Sequence, residues 1–132
     1  MLKDKNILLT GADGGMGRAM TEAFVRAGAN VWANIIAPNA DYESFAQELA
    51  VETGRRIKPL VFDITDANAV KTAIMAIRSE KLPIDGLVNN AGILRESMLQ
   101  MMPIADARLL FDVNFFAPFQ LMQLVTRLMM RQ

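Results

Sequence analysis

The chain contains neither cysteine nor histidine. The first absence excludes a disulfide scaffold, and the two together exclude a zinc finger and any histidine-based catalytic triad. An excess of one charge is also missing. Fourteen basic residues balance fourteen acidic ones, so no net field draws the chain to nucleic acid or to an anionic membrane surface. No uninterrupted apolar run approaches the ~20 residues of a transmembrane helix. Met1-Leu2-Lys3-Asp4-Lys5-Asn6 carries charges where a signal peptide needs an apolar core. These absences predict a soluble, cytoplasmic chain with no metal, no nucleic-acid partner and no membrane partner. Methionine, in contrast, is abundant at ten residues, and we read it as adaptable core filling rather than as sulfur chemistry. A length of 132 residues suits one domain with a real core.

Strand and helix signals alternate along the chain without linkers, repeats or low-complexity tracts. Asn6–Thr10 reads as a buried strand and Met16–Ala27 as a helix closed by Gly28, with Met20, Ala23, Phe24 and Ala27 recurring at helical spacing. Asn30–Ile36 is the second strand, ended by Pro38. Asp41–Thr53 is a helix with Asp41 as its expected N-cap and Gly54 as its stop. A third strand, Ile57–Phe62, ends at Asp63, and Thr65 or Asp66 caps a helix to about Ser79. Ile84–Val88 is the fourth strand. A looser Met98–Met102 segment precedes a long helix from about Ile104 to Met130.

This β-α-β-α-β-α-β-α order predicts an α/β fold of Rossmann type, a parallel sheet with helices on both faces. Right-handed crossovers give the strand order 3-2-1-4. Winding reverses between strands 1 and 4, so a ligand crevice opens at their carboxyl ends. Two glycine turns fall there, Thr10-Gly11-Ala12-Asp13-Gly14-Gly15-Met16-Gly17 and Asn89-Asn90-Ala91-Gly92. A buried strand that runs through glycines into a helix suits phosphate, because the backbone can approach closely and the helix N–H groups face the anion. The spacing Gly-x-x-x-Gly-x-Gly is neither Gly-x-Gly-x-x-Gly nor a P-loop.

Together the two turns resemble the short-chain dehydrogenase/reductase family, whose marks are Thr-Gly-x-x-x-Gly-x-Gly and Asn-Asn-Ala-Gly. The resemblance runs from Lys5 to Gln132. Through Ala91-Gly92-Ile93-Leu94-Arg95-Glu96 and the Met-rich stretch that follows, it is similar to the branch of 3-oxoacyl-[acyl carrier protein] reductases. It implies that residues 1–132 form a dinucleotide-binding domain, the N-terminal part of an NAD(P)-dependent oxidoreductase. Such an enzyme moves a hydride between the nicotinamide and a small carbonyl or alcohol substrate, a 3-oxoacyl thioester among the candidates. The implied cofactor-binding set is Gly11, Asp13, Gly14, Gly15, Met16, Gly17, Asp63, Ile64, Asn90, Ala91 and Gly92. Within it, Gly11, Gly15 and Gly17 surround the pyrophosphate and adenosine ribose, and Asp63 receives the adenine amino group. The alternative for Asp63 is an ordinary helix-capping role. Asn90 ties neighbouring strands together. Asn114 matches the asparagine of the family's Asn-Ser-Tyr-Lys catalytic set.

A local feature supports Asn114. Pro118, four residues on, has no N–H to donate, so the Asn114 carbonyl loses its helical partner. The family uses a carbonyl at this asparagine to hold a water in its proton relay. The alternative is a kink tolerated for packing. For the cofactor, an acid at the end of strand 2 would bind the 2′-hydroxyl of NAD and a base would accept the phosphate of NADP. Ala33-Asn34-Ile35-Ile36-Ala37-Pro38-Asn39 has neither. The missing acid inclines the reading to NADP, with NAD left open.

No Tyr-x-x-x-Lys follows Asn114, and the single tyrosine, Tyr42, is expected at the surface or in packing. A phenol with a pKa near ~10 needs such a lysine to act as a base near neutral pH. We therefore expect a truncated portion of a reductase that is inactive on its own, with strand 4 as an apolar edge. The alternative is a non-catalytic nucleotide-binding or assembly module. The long helix 104–130 has more apolar residues than one stripe needs. In the family it builds the subunit interface, which implies a homo-oligomer, a dimer or a tetramer.

Overall fold

The computed structural model describes residues 1–132. Four short strands, β1 (Asn6–Leu9), β2 (Asn30–Ile35), β3 (Ile57–Val61) and β4 (Gly86–Val88), pair in parallel in the order β3-β2-β1-β4. Helices α1 (Gly15–Arg26), α2 (Ala40–Thr53) and α3 (Ala67–Ser79) follow the first three strands. After β4 come a 3-10 turn at Leu99–Met101, α4 (Ile104–Phe111), a π turn at Asp112–Phe116 and α5 (Ala117–Met129). The expected Rossmann-type order is the one observed.

Alternation along the strands divides the core in two. Leu9, Val31, Ala33 and Ile35 point to the face covered by Val25 of α1 and by Tyr42, Ala46 and Leu49 of α2. Leu8 and Trp32 point to the opposite face, against Val70, Ile74 and Ile77 of α3 and Leu121 and Val125 of α5. Both faces of the sheet are thereby buried, which is why these strands read as nearly continuous apolar runs.

Several local expectations are corrected. The stripe that α1 buries is Gly17, Thr21 and Val25 rather than Met20, Ala23, Phe24 and Ala27. Small residues let this helix approach the glycine turn, while Met20 and Phe24 pack at the margin and Ala23 is exposed. The N-cap of α2 is Asn39, not Asp41. Asn39 has extended backbone and its side chain accepts from the Tyr42 N–H, whereas Asp41 lies inside the first turn and pairs with Arg18 at 2.6 Å. Of the two candidate caps for α3, Asp66 is the one, accepting from the N–H groups of Asn68 and Ala69. β4 begins only at Gly86, because the Ile84 N–H and carbonyl are taken by the Gln132 side-chain amide, at 2.8 and 3.0 Å. β4 is an edge of the sheet, as expected. Tyr42 is fully buried, its hydroxyl 3.2 Å from Thr21 Oγ1.

The long helix is interrupted where Pro118 predicts a disturbance. The Ala117 N–H bonds the Asp112 carbonyl, five residues back, and Pro118 has no N–H to offer. Neither the Val113 nor the Asn114 carbonyl therefore has its usual α-helical donor. By length and mean hydropathy (1.2) Ile104–Met129 could cross a bilayer. Here Ala117, Leu121 and Val125 are instead buried in the core against α3.

A polar clasp closes the Trp32 side of the core. The Trp32 indole N–H donates to Glu80 at 2.8 Å, and Arg56 and Lys58 pair with the same carboxylate. Burial would raise the Glu80 carboxyl, but the hydrogen bonds from Trp32 and Arg56 and the charges of Arg56 and Lys58 outweigh it and hold it below its ordinary value. A depressed carboxylate contributes stability above its unfolded pKa and loses it as pH falls through the folded one. Glu80→Gln should therefore unfold more easily at pH 7, by about 1 kcal/mol. It should also lose less stability than the wild type on acidification. Urea melts across the acid range measure both, and parallel pH profiles would remove Glu80 from acid unfolding.

Candidate functional site

Each strand hands its next residues to one cavity. Gly11 follows β1, Ile36 follows β2, Phe62 and Asp63 follow β3, and Asn90 follows β4, and all line a cleft of about 470 Å³ at the carboxyl end of the sheet. This is the crevice expected where the winding reverses.

The turn after β1 is built by close approach. Gly11 has φ +62°, and a Cβ there would come within 2.9 Å of the Ala91 Cα. A Cβ on Gly17 would drive into the Gly11 carbonyl oxygen and lie 2.7 Å from the Ala12 carbonyl carbon. Only glycine lets α1 start this tightly against the turn. The other two glycines are different, since a Cβ on Gly15 meets nothing within 4 Å and one on Gly14 only the Gly11 oxygen at 3.7 Å. That side of the turn is open. Gly14 caps α1 without a side chain, the first turn holds no acid, and the first helical bond is Arg18 N–H to the Gly14 carbonyl. The N–H groups of Gly15, Met16 and Gly17 have no partner within the chain, and the helix dipole makes this corner attractive to an anion.

The two glycine turns are tied together. Thr10 Oγ1 accepts from the N–H groups of Asn90 and Ala91, both at 3.0 Å, and Asn90 Nδ2 donates to the Gly11 carbonyl at 3.1 Å. The turn is also held from β2. Asn34 Oδ1 accepts from the Gly11 N–H at 3.3 Å, while its Nδ2 donates to the Phe62 carbonyl beyond β3 at 2.9 Å.

Asp63 uses Oδ1 to accept from the Thr65 N–H and hydroxyl, at 2.9 and 2.7 Å, so it shapes the turn before α3 and does not cap that helix. Asn114 is exposed and bonds the loop after Gly92. Its Oδ1 accepts from the Ile93 N–H at 2.9 Å and its Nδ2 donates to the Ile93 carbonyl at 2.8 Å. This two-way bond pins the loop after Gly92.

All eleven residues expected around the cofactor line the cavity: Gly11, Asp13, Gly14, Gly15, Met16, Gly17, Asp63, Ile64, Asn90, Ala91 and Gly92. Asn114 does not, although its neighbour Val113 does. Also in the wall, and not among the expected residues, are Asn34, Ile36, Phe62 and Ile93. Asn34 could have been noticed as an amide set between apolar residues of β2; the other three look like ordinary core residues.

The family described as short chain dehydrogenase matches residues 5–132. The chain belongs to that family. It is 34% identical over 128 residues to the 3-oxoacyl-[acyl-carrier-protein] reductase of Escherichia coli, covering 97% of this chain and 50% of that one. It is 36% identical over 126 residues to the gluconate 5-dehydrogenase of Gluconobacter oxydans, covering 96% and 48%. Among solved structures, a short-chain type dehydrogenase/reductase from Mycobacterium marinum is 30% identical with a TM-score of 0.89, covering 99% of this chain and 52% of that one. The chain spans about half the length of the curated relatives it matches.

The glycines of this short-chain dehydrogenase turn should separate in mutagenesis. Gly17→Ala must displace backbone and should cost about 3 kcal/mol of folding stability. Gly15→Ala meets open space and should change stability by no more than about 0.5 kcal/mol. Equal effects in chemical denaturation would contradict the crowding at Gly17.

Proposed function

We propose that this chain is the nicotinamide-dinucleotide-holding part of an oxidoreductase acting on a carbonyl/alcohol pair. The observation that carries this reading is the cleft itself, where an uncapped helix N-terminus faces open glycines and a second small-residue turn is locked beside the first. A pyrophosphate fits such a corner, since the exposed N–H groups supply donors and Gly14 and Gly15 leave room for it. Gly11 and Gly17 shape the turn, with Met16 at its rim. Asp63 and Ile64 would hold the adenine end, and Ala91 and Gly92, without bulk, would lie along the dinucleotide. Asn90 keeps the two turns in register. When bound, the nicotinamide supplies or accepts the hydride.

The role of Asn114 follows from what its side chain already does. Both side-chain polar atoms are committed to Ile93, so a water would be held through the backbone carbonyl, whose α-helical donor Pro118 removes. Tyr42 is not the acid/base of this reaction. It is buried on the inner face of α2, and desolvation pushes its phenol above the ordinary value, which keeps it protonated. No Tyr-x-x-x-Lys occurs within residues 1–132, so the proton donor has to come from elsewhere.

The two curated relatives described above carry names that denote a ketone reductase and an alcohol dehydrogenase. Their near-equal similarity supports the ketone/secondary-alcohol class, which includes 3-oxoacyl thioesters. The missing acid at the end of β2, taken alone, favours NADP over NAD. Two outcomes are expected. The 132-residue chain should bind a reduced nicotinamide dinucleotide in fluorescence titration yet reduce no ketone. Turnover by this chain alone would place the acid/base within it. The apolar surface of Ile104–Met129, with Phe115 56% and Phe119 49% exposed, supports a homo-oligomer. Sedimentation should find a dimer or tetramer, and a monomer at high micromolar concentration would argue against that interface.

A further inference from the structure

The adenosine-ribose end of the cleft carries a charge that β2 does not supply. Asp13 stands in the glycine turn, half-buried, and lines the cavity together with Ile36, the first residue beyond β2. Asn39 Nδ2 donates to Asp13 Oδ2 at 3.1 Å, while Asn39 Oδ1 caps α2 by accepting from the Tyr42 N–H at 3.0 Å. One asparagine thus fixes the carboxylate against the start of α2, in the gap between the turn that suits pyrophosphate and the end of β2. In doubly wound folds that gap receives the adenosine ribose.

We propose that Asp13 selects NAD over NADP, doing from the glycine turn what an acid at the end of β2 does elsewhere. This rests on the dinucleotide reading given above. Asp13 Oδ1 makes no bond to the chain, which leaves it able to accept from a ribose hydroxyl. A 2′-phosphate would instead bring about two negative charges towards a fixed carboxylate. The wall offers no compensation. Its only charged side chains are Asp13 and Asp63, Gly14 has no side chain, and Ile36 is apolar. Arg18, the residue that follows the glycine turn, is turned towards α2, paired with Asp41 and lying over the rings of Tyr42 and Phe45. The absence of an acid on β2 therefore does not leave the ribose subsite neutral.

Calorimetric titration of the whole chain with NAD and with NADP at fixed low ionic strength tests this. The wild type should bind NAD about 10-fold more tightly or better, and salt should narrow the gap. Asp13→Asn keeps the bond with Asn39 and removes the charge, and should cut the NAD:NADP ratio by about fivefold or more, mainly by tightening NADP. Asp13→Ser should move the ratio in the same direction, which covers the case in which one variant folds poorly. Equal or tighter binding of NADP by the wild type, or an unchanged ratio in both variants, overturns the role of Asp13 while leaving the dinucleotide reading intact. Loss of NADP binding in Arg18→Ala, with NADP preferred by the wild type, would transfer selection to Arg18. Binding of neither dinucleotide at millimolar concentration would overturn the dinucleotide reading, and this inference with it.

Discussion

The bond set between Thr10 and Asn90 is the constraint on which the rest of the site depends. β1 and β4 are neighbours in space but nearly eighty residues apart in sequence, and only three residues pair them in the sheet. A pairing that short would leave the two following turns free to drift. A buried hydroxyl accepting two N–H groups, with an amide returning a bond to the Gly11 carbonyl, removes that freedom and leaves no buried side-chain polar atom unsatisfied. The same bonds account for the small residues around them. With the turns drawn this close, a Cβ at Gly11 would meet the Ala91 backbone, so glycine follows from the clasp.

The second consequence concerns α1. Because Gly17 lies against the Gly11 carbonyl, the helix begins within van der Waals distance of the turn and its first N–H groups are left uncapped at the cleft. Thr21, one turn later on the buried stripe, donates back to the Gly17 carbonyl at 2.8 Å and meets the Tyr42 hydroxyl. That link passes the position of α1 to α2, and Asn39, at the head of α2, passes it on to Asp13. The glycine turn is therefore held from β4, β2 and α2 at once. The proposed pyrophosphate corner would gain from this rigidity, because donors that must be ordered on binding lose part of their value to entropy.

The fold and the cleft were legible in the sequence because both are written in local signals. Apolar runs ending in glycine turns identify buried parallel strands, and the two turns fall on opposite sides of the reversal in winding. What was not legible depends on tertiary contact. The apolar residues of α1 suggest a stripe through Met20 and Phe24, whereas close packing selects Gly17, Thr21 and Val25, a pattern that hydrophobicity alone ranks low. Asn39 and Asp41 are both good capping types, and only the extended backbone of Asn39 separates them. Asn34 looks like a weak strand residue until its amide is seen joining the turns after β1 and β3. Tyr42 carried no signal for full burial, since its hydroxyl is satisfied by a threonine on another helix.

Asn114 illustrates why a residue can be legible while its geometry is not. Its position relative to Pro118 marks a broken helical ladder, and the ladder does break, but one step earlier and more widely than a simple missing donor requires. The Ala117 N–H passes over Val113 to reach Asp112, so two successive carbonyls, Val113 and Asn114, lose their ordinary partners instead of one. A kink alone would leave Asn114 free to reorient. The side-chain bonds to Ile93 prevent that, because they fix the residue at both polar atoms and orient its backbone relative to the loop after Gly92. In the proposed relay, the side chain would supply position and the disturbed helix an acceptor. An alanine would lose the bonds that fix the residue to Ile93, and a regular helix without Pro118 would give the carbonyl its ordinary donor.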